Sequence, residues 1–402
     1  MVRSSSKPDP PSRPVLFAVG TFVLGADSFV LAGSLPAAAH DLHLSVAQAG
    51  RLTTTSAPHL CDRVAADRGR HGPARPVPGA RWRDDGNELS FHPEEDKEQI
   101  RMSTHETVRF THQVTSAGPA QGMTFTGRRR LAESNEDVPL VVAVHGGGYT
   151  SAYFDVPGYS LLDRAAVLGV PIIAVDRPGH GGSSSVPANG SVFLAHAEAL
   201  EHLIGELWQT HGAGTAGVVL IGHSIGVPIS LAVAAHRPKW PLLGVAASGC
   251  LLREPEHFTG IWASIPDLTL RSPDDRKAEL MFGPARTRRD DMPEAAYFAN
   301  EPVVKAELVE ISSSWHSLFQ DLAPEISVPV HLRIGEYDAL WIADDEQIAA
   351  FAAALTSSPS VDAAFFPAAG HAIDYHRAGA AFQTQQLAFA LHCVARRLSE
   401  TH

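Results

Sequence analysis

Residues 102–402 are predicted to form an α/β fold, a mostly parallel central sheet flanked by helices and interrupted once by a helical insertion. Three observations carry this prediction. After Met102, short apolar runs of strand length alternate with segments of helical apolar spacing. Several of those runs end in glycine-rich loops, as a sheet with crossover helices requires. Finally, no strand-period run occurs between Cys250 and Ser327, which marks residues 251–325 as an inserted, mainly helical cap.

Taken in order, "ETVRFTHQV" and "GMTFTGRRR" read as an antiparallel opening pair. "PLVVAVHGGG" is a buried strand running into a glycine loop, "LLDRAAVLG" a helix, and "PIIAVDRPGHGGSS" the next strand with its loop. "SVFLAHAEALEHLIGELWQTH" has helical apolar spacing. "AGVVLIGHS" is a central strand followed by the helix "IGVPISLAVAAHR". "PLLGVAASG", "PVHLRIGEYD" and "VDAAFFPAAGH" supply three further strands, and "AGAAFQTQQLAFALHCVARRL" closes the chain as a helix.

The first 101 residues do not match this pattern. Residues 15–39, "VLFAVGTFVLGADSFVLAGSLPAAA", are apolar for about the length of a bilayer span and carry one carboxylate, Asp27. The stretch "GTFVLGADSFVLAGSLPAAAHDLHLSVAQAG" resembles the first membrane helix and following loop of major facilitator superfamily transporters, so residues 1–57 are read as a transporter-like apolar helix fragment. A secretory signal and a buried amphipathic helix are the rival readings, and Asp27 in the apolar centre counts against the signal. Residues 58–101 are rich in Arg, Pro, Gly and Ala, a composition that reads as a low-order linker or as GC-rich DNA translated out of frame. Lys97-Glu98 can be encoded AAGGAG, a ribosome-binding sequence just upstream of Met102. The expectation is that residues 1–101 are a fusion or a misassigned start and that the working protein is the α/β domain 102–402.

Composition bounds the function. With 402 residues and 44% hydrophobic content, the chain can bury a large core. Residues 1–101 hold equal numbers of acidic and basic residues, so the whole net charge of −12 falls on the rest. An acidic body without a basic stripe argues against a nucleic-acid partner. Three cysteines without metal-type spacing argue against a disulfide framework and for a reducing, cytoplasmic setting; a membrane-anchored location follows only if residues 15–39 are a genuine span. Quaternary state has no signal in the sequence.

The chemistry concentrates at Gly222-His223-Ser224-Ile225-Gly226, a G-x-S-x-G match placed directly after a strand and before a helix. Only small neighbours allow the strained turn that would push a serine oxygen out of the sheet edge. A hydroxyl needs a base, and the base needs an orienting acid. Asp338 follows one later strand and His371 the next, both at the C-terminal edge that carries Ser224. Donors for a developing oxyanion are expected from the loop "HGGGYTSAY", at Gly147 with Gly148 or Tyr149 contributing, and from the N–H of Ile225. His145 is expected to fix the glycine loop and His223 to pack locally, while His196, His202 and His211 are read as surface residues. Asp344 and Asp345 are read as helix caps, with Asp374 and His376 as fallbacks.

Other patterns fail on context. "GAGTAG" precedes a strand instead of following one, so a dinucleotide site is not supported. No H-E-x-x-H, paired Cys-x-x-Cys or G-x-x-x-x-G-K occurs, so no metal and no cofactor is expected.

With these residues in hand, residues from about 104 to 400 resemble an α/β-hydrolase fold enzyme with a cap inserted after the sixth strand. The resemblance implies that Ser224 is the nucleophile, Asp338 the acid and His371 the base, and that "DRPGHGGSS" is the structural loop after the fourth strand. Relatives that open epoxides or displace halide carry Asp at the elbow, and Ser224 argues against both. The implied activity is a serine hydrolase of esterase type acting on a small or medium, partly apolar ester, thioester or amide through an acyl-enzyme. The same triad also serves acyl transfer, cofactor-free peroxidation and C–C cleavage. Two other classes remain as rivals, a membrane-anchored transporter-derived fusion protein and a non-catalytic binding relative. The large apolar residues of the cap, Phe258, Trp262, Met281, Phe282, Phe298, Trp315 and Phe319, either shape a pocket or tie the cap to the sheet. Tyr149, Trp262, Phe282 and Trp315 are the expected pocket residues for a small-molecule substrate.

Overall fold

The computed structural model describes residues 106–132, 135–187, 190–266, 269–270 and 274–400, together with 81–82 and 89–90. The chain divides into two units, Met1–Ile100 and Arg101–His402. In the first, Arg81–Trp82 pairs antiparallel with Leu89–Ser90, inside the stretch expected to be of low order. The expected apolar helix at 15–39 lies outside the described residues. No helix among the described residues is long and apolar enough to cross a membrane.

The second unit is built on eight strands: β1 Val108–Gln113, β2 Thr124–Arg130, β3 Leu140–Val144, β4 Ile172–Val175, β5 Val218–His223, β6 Leu242–Ser248, β7 Val330–Gly335 and β8 Val361–Phe366. Their spatial order is β8-β7-β6-β5-β3-β4-β2-β1. β1 and β2 form the expected antiparallel pair, and β2 joins β4 antiparallel. Every pairing from β4 through β3, β5, β6 and β7 to β8 is parallel. β3, β4 and β5 are buried along their whole length, which is why β3, β4 and the first four residues of β5 are unbroken runs of Val, Ile, Leu and Ala.

Helices α1 Leu161–Val167, α2 Val192–Leu207, α3 Gly226–Ala235, α8 Asp345–Ala354 and α9 Gly379–Glu400 are the framework helices. Three of the starts have a side-chain cap. Ser160 caps α1 by accepting from Asp163 N at 3.0 Å, and Ser191 caps α2 through Leu194 N at 3.1 Å. Asp344 caps α8 through Gln347 N at 2.8 Å, the capping role read from the sequence. α3 is buried nearly throughout, consistent with its Ala-, Val- and Ile-rich sequence.

The insertion after β6 folds as the helices α4 His257–Ser264, α5 Asp274–Phe282, α6 Lys305–Ser313 and α7 Trp315–Leu322. It also contains a two-residue ribbon, Thr269–Leu270 against Val303–Val304, which was not legible in the sequence. Two contacts lock α6 onto the core. Glu310 accepts from Val192 N at 2.6 Å and from the Ser191 hydroxyl, placing a carboxylate at the positive end of α2. Glu307 takes both terminal nitrogens of Arg177, in the loop after β4, at 2.6 and 3.0 Å.

Candidate active site

Ser224 follows the last residue of β5 and precedes the first of α3. Its φ is +51°, a left-handed conformation that costs a non-glycine residue about 1–3 kcal/mol and persists only under tertiary constraint. That constraint is visible. Ser224 N donates to Ser248 O of β6 at 2.8 Å, and Val227 N donates back to Ser224 O at 2.8 Å. Gly226 has no room for a side chain, because a Cβ there would stand 2.1 Å from Val144 O of β3. Thus α3 comes close against the sheet, and the serine is forced outward into a cavity that it helps to line.

Asp338 and His371 are carried by the turns after β7 and β8. Asp338 Oδ2 and His371 Nδ1 are 2.8 Å apart, with both side chains fully buried. Leu340 N donates to the other oxygen, Asp338 Oδ1, at 3.0 Å, fixing the carboxylate plane. His371 Nε2 is buried and has no hydrogen-bond partner. Of the three residues expected to act together, Asp338 and His371 are therefore joined, while the link from His371 to Ser224 stands open. Catalytic hydrogen bonds commonly tighten only when substrate is bound.

The glycine loop after β3 reaches the same place. Gly147, Gly148 and Ile225 line the cavity with Ser224. Gly146, which the sequence reading passed over, approaches most closely: a Cβ there would be 2.8 Å from Ser224 Cβ. The "HGGG" run was the available signal, but it could not say which glycine touches the serine. His145 anchors the loop as expected, with Nδ1 2.8 Å from Gly146 O and Nε2 accepting from Arg177 N at 3.1 Å. Burial first, and then Arg177, hold its imidazole well below the usual histidine range, so it is neutral.

His223 packs locally, stacked on Tyr153 at 4.4 Å, and burial with His371 beside it keeps it neutral. Asp374 accepts from Tyr153 OH at 2.9 Å and Gln383 Nε2 at 2.8 Å, while His376 Nε2 accepts from Gly370 N at 2.8 Å. Both are committed to structure. His196 corrects the surface reading: it is buried against Arg177, with Nδ1 3.4 Å from Nη1, and burial lowers its pKa to about 3. Its spacing from Phe193 and Leu200 on the apolar face of α2 was the signal for this.

The cap supplies most of the cavity wall. Glu254, Trp262, Leu270, Lys277, Leu280, Met281, Asn300, Glu301, Val303, Leu308, Ile311, Leu340 and Trp341 complete it. Trp262 is the expected pocket residue found there. Tyr149, Phe282 and Trp315 are not among the lining residues. Tyr149 is buried beneath the Lys277 ammonium, 3.6 Å from its ring centre. Phe282 packs on Tyr375 and His376, and Trp315 donates to Leu251 O at 2.7 Å and packs on Phe319. Aromatics at the cap–sheet seam are held by packing, so both roles considered for them occur in different residues.

Three cap residues grip the glycine loop itself. Lys277 Nζ donates to Gly148 O and to Asn300 Oδ1, both at 2.6 Å, and Glu301 N donates to Gly148 O at 3.0 Å. Thr150 N donates to Ala299 O at 3.3 Å. None of this carried a sequence signal, because the cap and the loop are more than a hundred residues apart.

A family model described as the Alpha/beta hydrolase family matches residues 141–382, more than half of the chain. No curated protein matches the sequence. Among solved structures, the chain is similar to a candidate lipase from Acinetobacter baumannii AYE, at 13% identity and a TM-score of 0.52, covering 75% of this chain and 97% of that one. It is similar to a monoacylglycerol lipase from Paleococcus ferrophilus at 19% identity and a TM-score of 0.48, covering 72% of this chain and 99% of that one. A thermophilic esterase from Thermogutta terrifontis aligns at 20% identity and a TM-score of 0.45, covering 70% of this chain and 97% of that one. On the family match and the sheet order, the chain belongs to the alpha/beta hydrolase family and is a hydrolase of that superfamily.

Proposed function

We propose that this protein is a serine esterase that cleaves small or medium, partly apolar acyl substrates through an acyl-enzyme on Ser224. His371 removes the Ser224 proton as the oxygen attacks the carbonyl, and Asp338 orients the imidazole and stabilises its charged form. The N–H groups of Gly147 and Ile225 receive the developing oxyanion, with Gly148 contributing. Collapse of the tetrahedral adduct expels the alcohol, which takes the proton from His371. Water then attacks the acyl-enzyme with the same base, returning the serine and releasing the acid. The aliphatic and indole surfaces of the cavity wall suit an apolar acyl chain.

The observation that carries this reading is the strained Ser224 at the wall of a cavity, with a buried Asp338–His371 pair whose outer nitrogen has no partner. A fluorophosphonate probe tests it. The folded protein is expected to label, and Ser224→Ala to lose the label while keeping its melting temperature. Labelling that persists in Ser224→Ala, or a folded wild type that resists the probe, would overturn the proposal.

A further inference from the structure

Glu254 stands on the segment between β6 and α4 and lines the same cavity as Ser224. Its one hydrogen bond among the described residues is from Trp262 Nε1 to Oε2, long at 3.3 Å, and it forms no salt bridge there. Among the described residues, the one basic residue lining the cavity, Lys277, is directed to Gly148 O and Asn300 Oδ1. The second carboxylate of the wall, Glu301, is turned toward Gly181 N at 3.0 and 3.1 Å. Glu254 therefore brings an acid into a largely apolar cavity without a salt bridge among the described residues, the Lys277 ammonium of the same wall being held by neutral oxygens. Burial pushes its carboxyl up to about 7; the Trp262 bond opposes this and the Asp338 charge adds to it.

Two indoles share the wall. Trp262 has one face covered by Phe258, stacked at 5.1 Å and 5°. Trp341 spends its N–H on Gly249 O at 2.9 Å, so its contribution to the cavity is ring surface. A carboxylate without a salt bridge, sharing a cavity wall with two electron-rich indole surfaces, is the chemistry that receives an ammonium group.

We propose that Glu254, Trp262 and Trp341 form a subsite for a cationic nitrogen, so that the preferred substrates carry an ammonium group on an otherwise apolar acyl or alcohol part. This rests on the esterase reading of Ser224 and names the substrate class of that site. A bound cation neutralises Glu254, offsets its proximity to Asp338 and removes the cost of the lone buried carboxylate.

The test uses matched pairs of esters on the full chain. The acyl pair is p-nitrophenyl 6-(trimethylammonio)hexanoate against the neutral isostere p-nitrophenyl 7,7-dimethyloctanoate. The alcohol pair is acetylthiocholine against 3,3-dimethylbutyl thioacetate. In at least one pair kcat/KM for the cationic ester is expected to exceed that for its isostere by roughly tenfold or more. Glu254→Gln, which keeps the shape, is expected to bring that ratio close to one. The same comparison by calorimetric binding to Ser224→Ala, with and without Glu254→Gln, requires no turnover and so separates failure of this subsite from failure of the esterase reading. Ratios near one for both pairs in both measurements, or a cation preference that survives Glu254→Gln, would overturn it.

Discussion

Arg177 and Glu307 form a fully buried, two-pronged ion pair between the loop after β4 and cap helix α6, so Glu307→Gln should cost far more than a surface substitution. Burial alone would raise the Glu307 carboxyl, but Arg177 and the His180 hydrogen bond at 3.1 Å outweigh it and hold the group well below the usual carboxylate range. Glutamine preserves the shape and removes the charge. The Arg177 guanidinium then stays buried with only neutral partners among the described residues, the amide oxygen, Gly146 O at 3.3 Å and His196. Removing one member of a buried pair typically costs about 3–5 kcal/mol. For a unit of this size, at about 2 °C per kcal/mol, the melting temperature should fall by roughly 6–10 °C.

Differential scanning calorimetry at neutral pH measures this, and a pH series checks its origin. A carboxyl with a depressed folded pKa contributes stability that is complete above its unfolded value, about 4.3, and is lost as pH falls through the folded value. The wild-type advantage over Glu307→Gln should accordingly be full at pH 7 and shrink in acid. The double variant Arg177→Met with Glu307→Leu should recover much of the loss, since a well-packed apolar replacement of a buried pair is often neutral. A drop of less than about 2 °C for Glu307→Gln, where the lost pair should cost several kcal/mol, would refute the reading of this pair as a strong contact between α6 and the core.

Two further outcomes bear on the site itself. Asp338→Asn should keep the fold but lower kcat by roughly 10⁴-fold, because the amide stabilises the wrong imidazole tautomer; steady-state kinetics on a p-nitrophenyl ester would show it. Gly146→Ala places a Cβ 2.8 Å from Ser224 Cβ and 3.2 Å from the His223 ring, so urea unfolding should register a loss of about 1–3 kcal/mol together with reduced turnover. Unchanged turnover in that variant would mean that the loop can move away from the serine without consequence.

The sequence by itself determined the parts of this protein whose cause is local. Unbroken apolar runs such as "LVVAV" and "VVLI", bounded by turn residues, read as strands buried on both faces, and the structure places them at the middle of the sheet. The Gly222–Gly226 pattern fixed the turn at Ser224, since its constraint lies between adjacent elements. Asp338 and His371 were legible because parallel strands must end on one edge, so chain order alone sends their turns to the same rim. His196 was misread despite a local signal, its place on the apolar face of α2.

Only the tertiary structure decided the rest. Lys277 on Gly148 and Glu307 on Arg177 depend on where the cap docks. Charged residues on short helices look alike in sequence whether they face water or a partner 130 residues away. The same holds for Tyr149, Phe282 and Trp315: an aromatic ring satisfies a seam as well as a pocket, and hydrophobicity has no direction until the elements are packed.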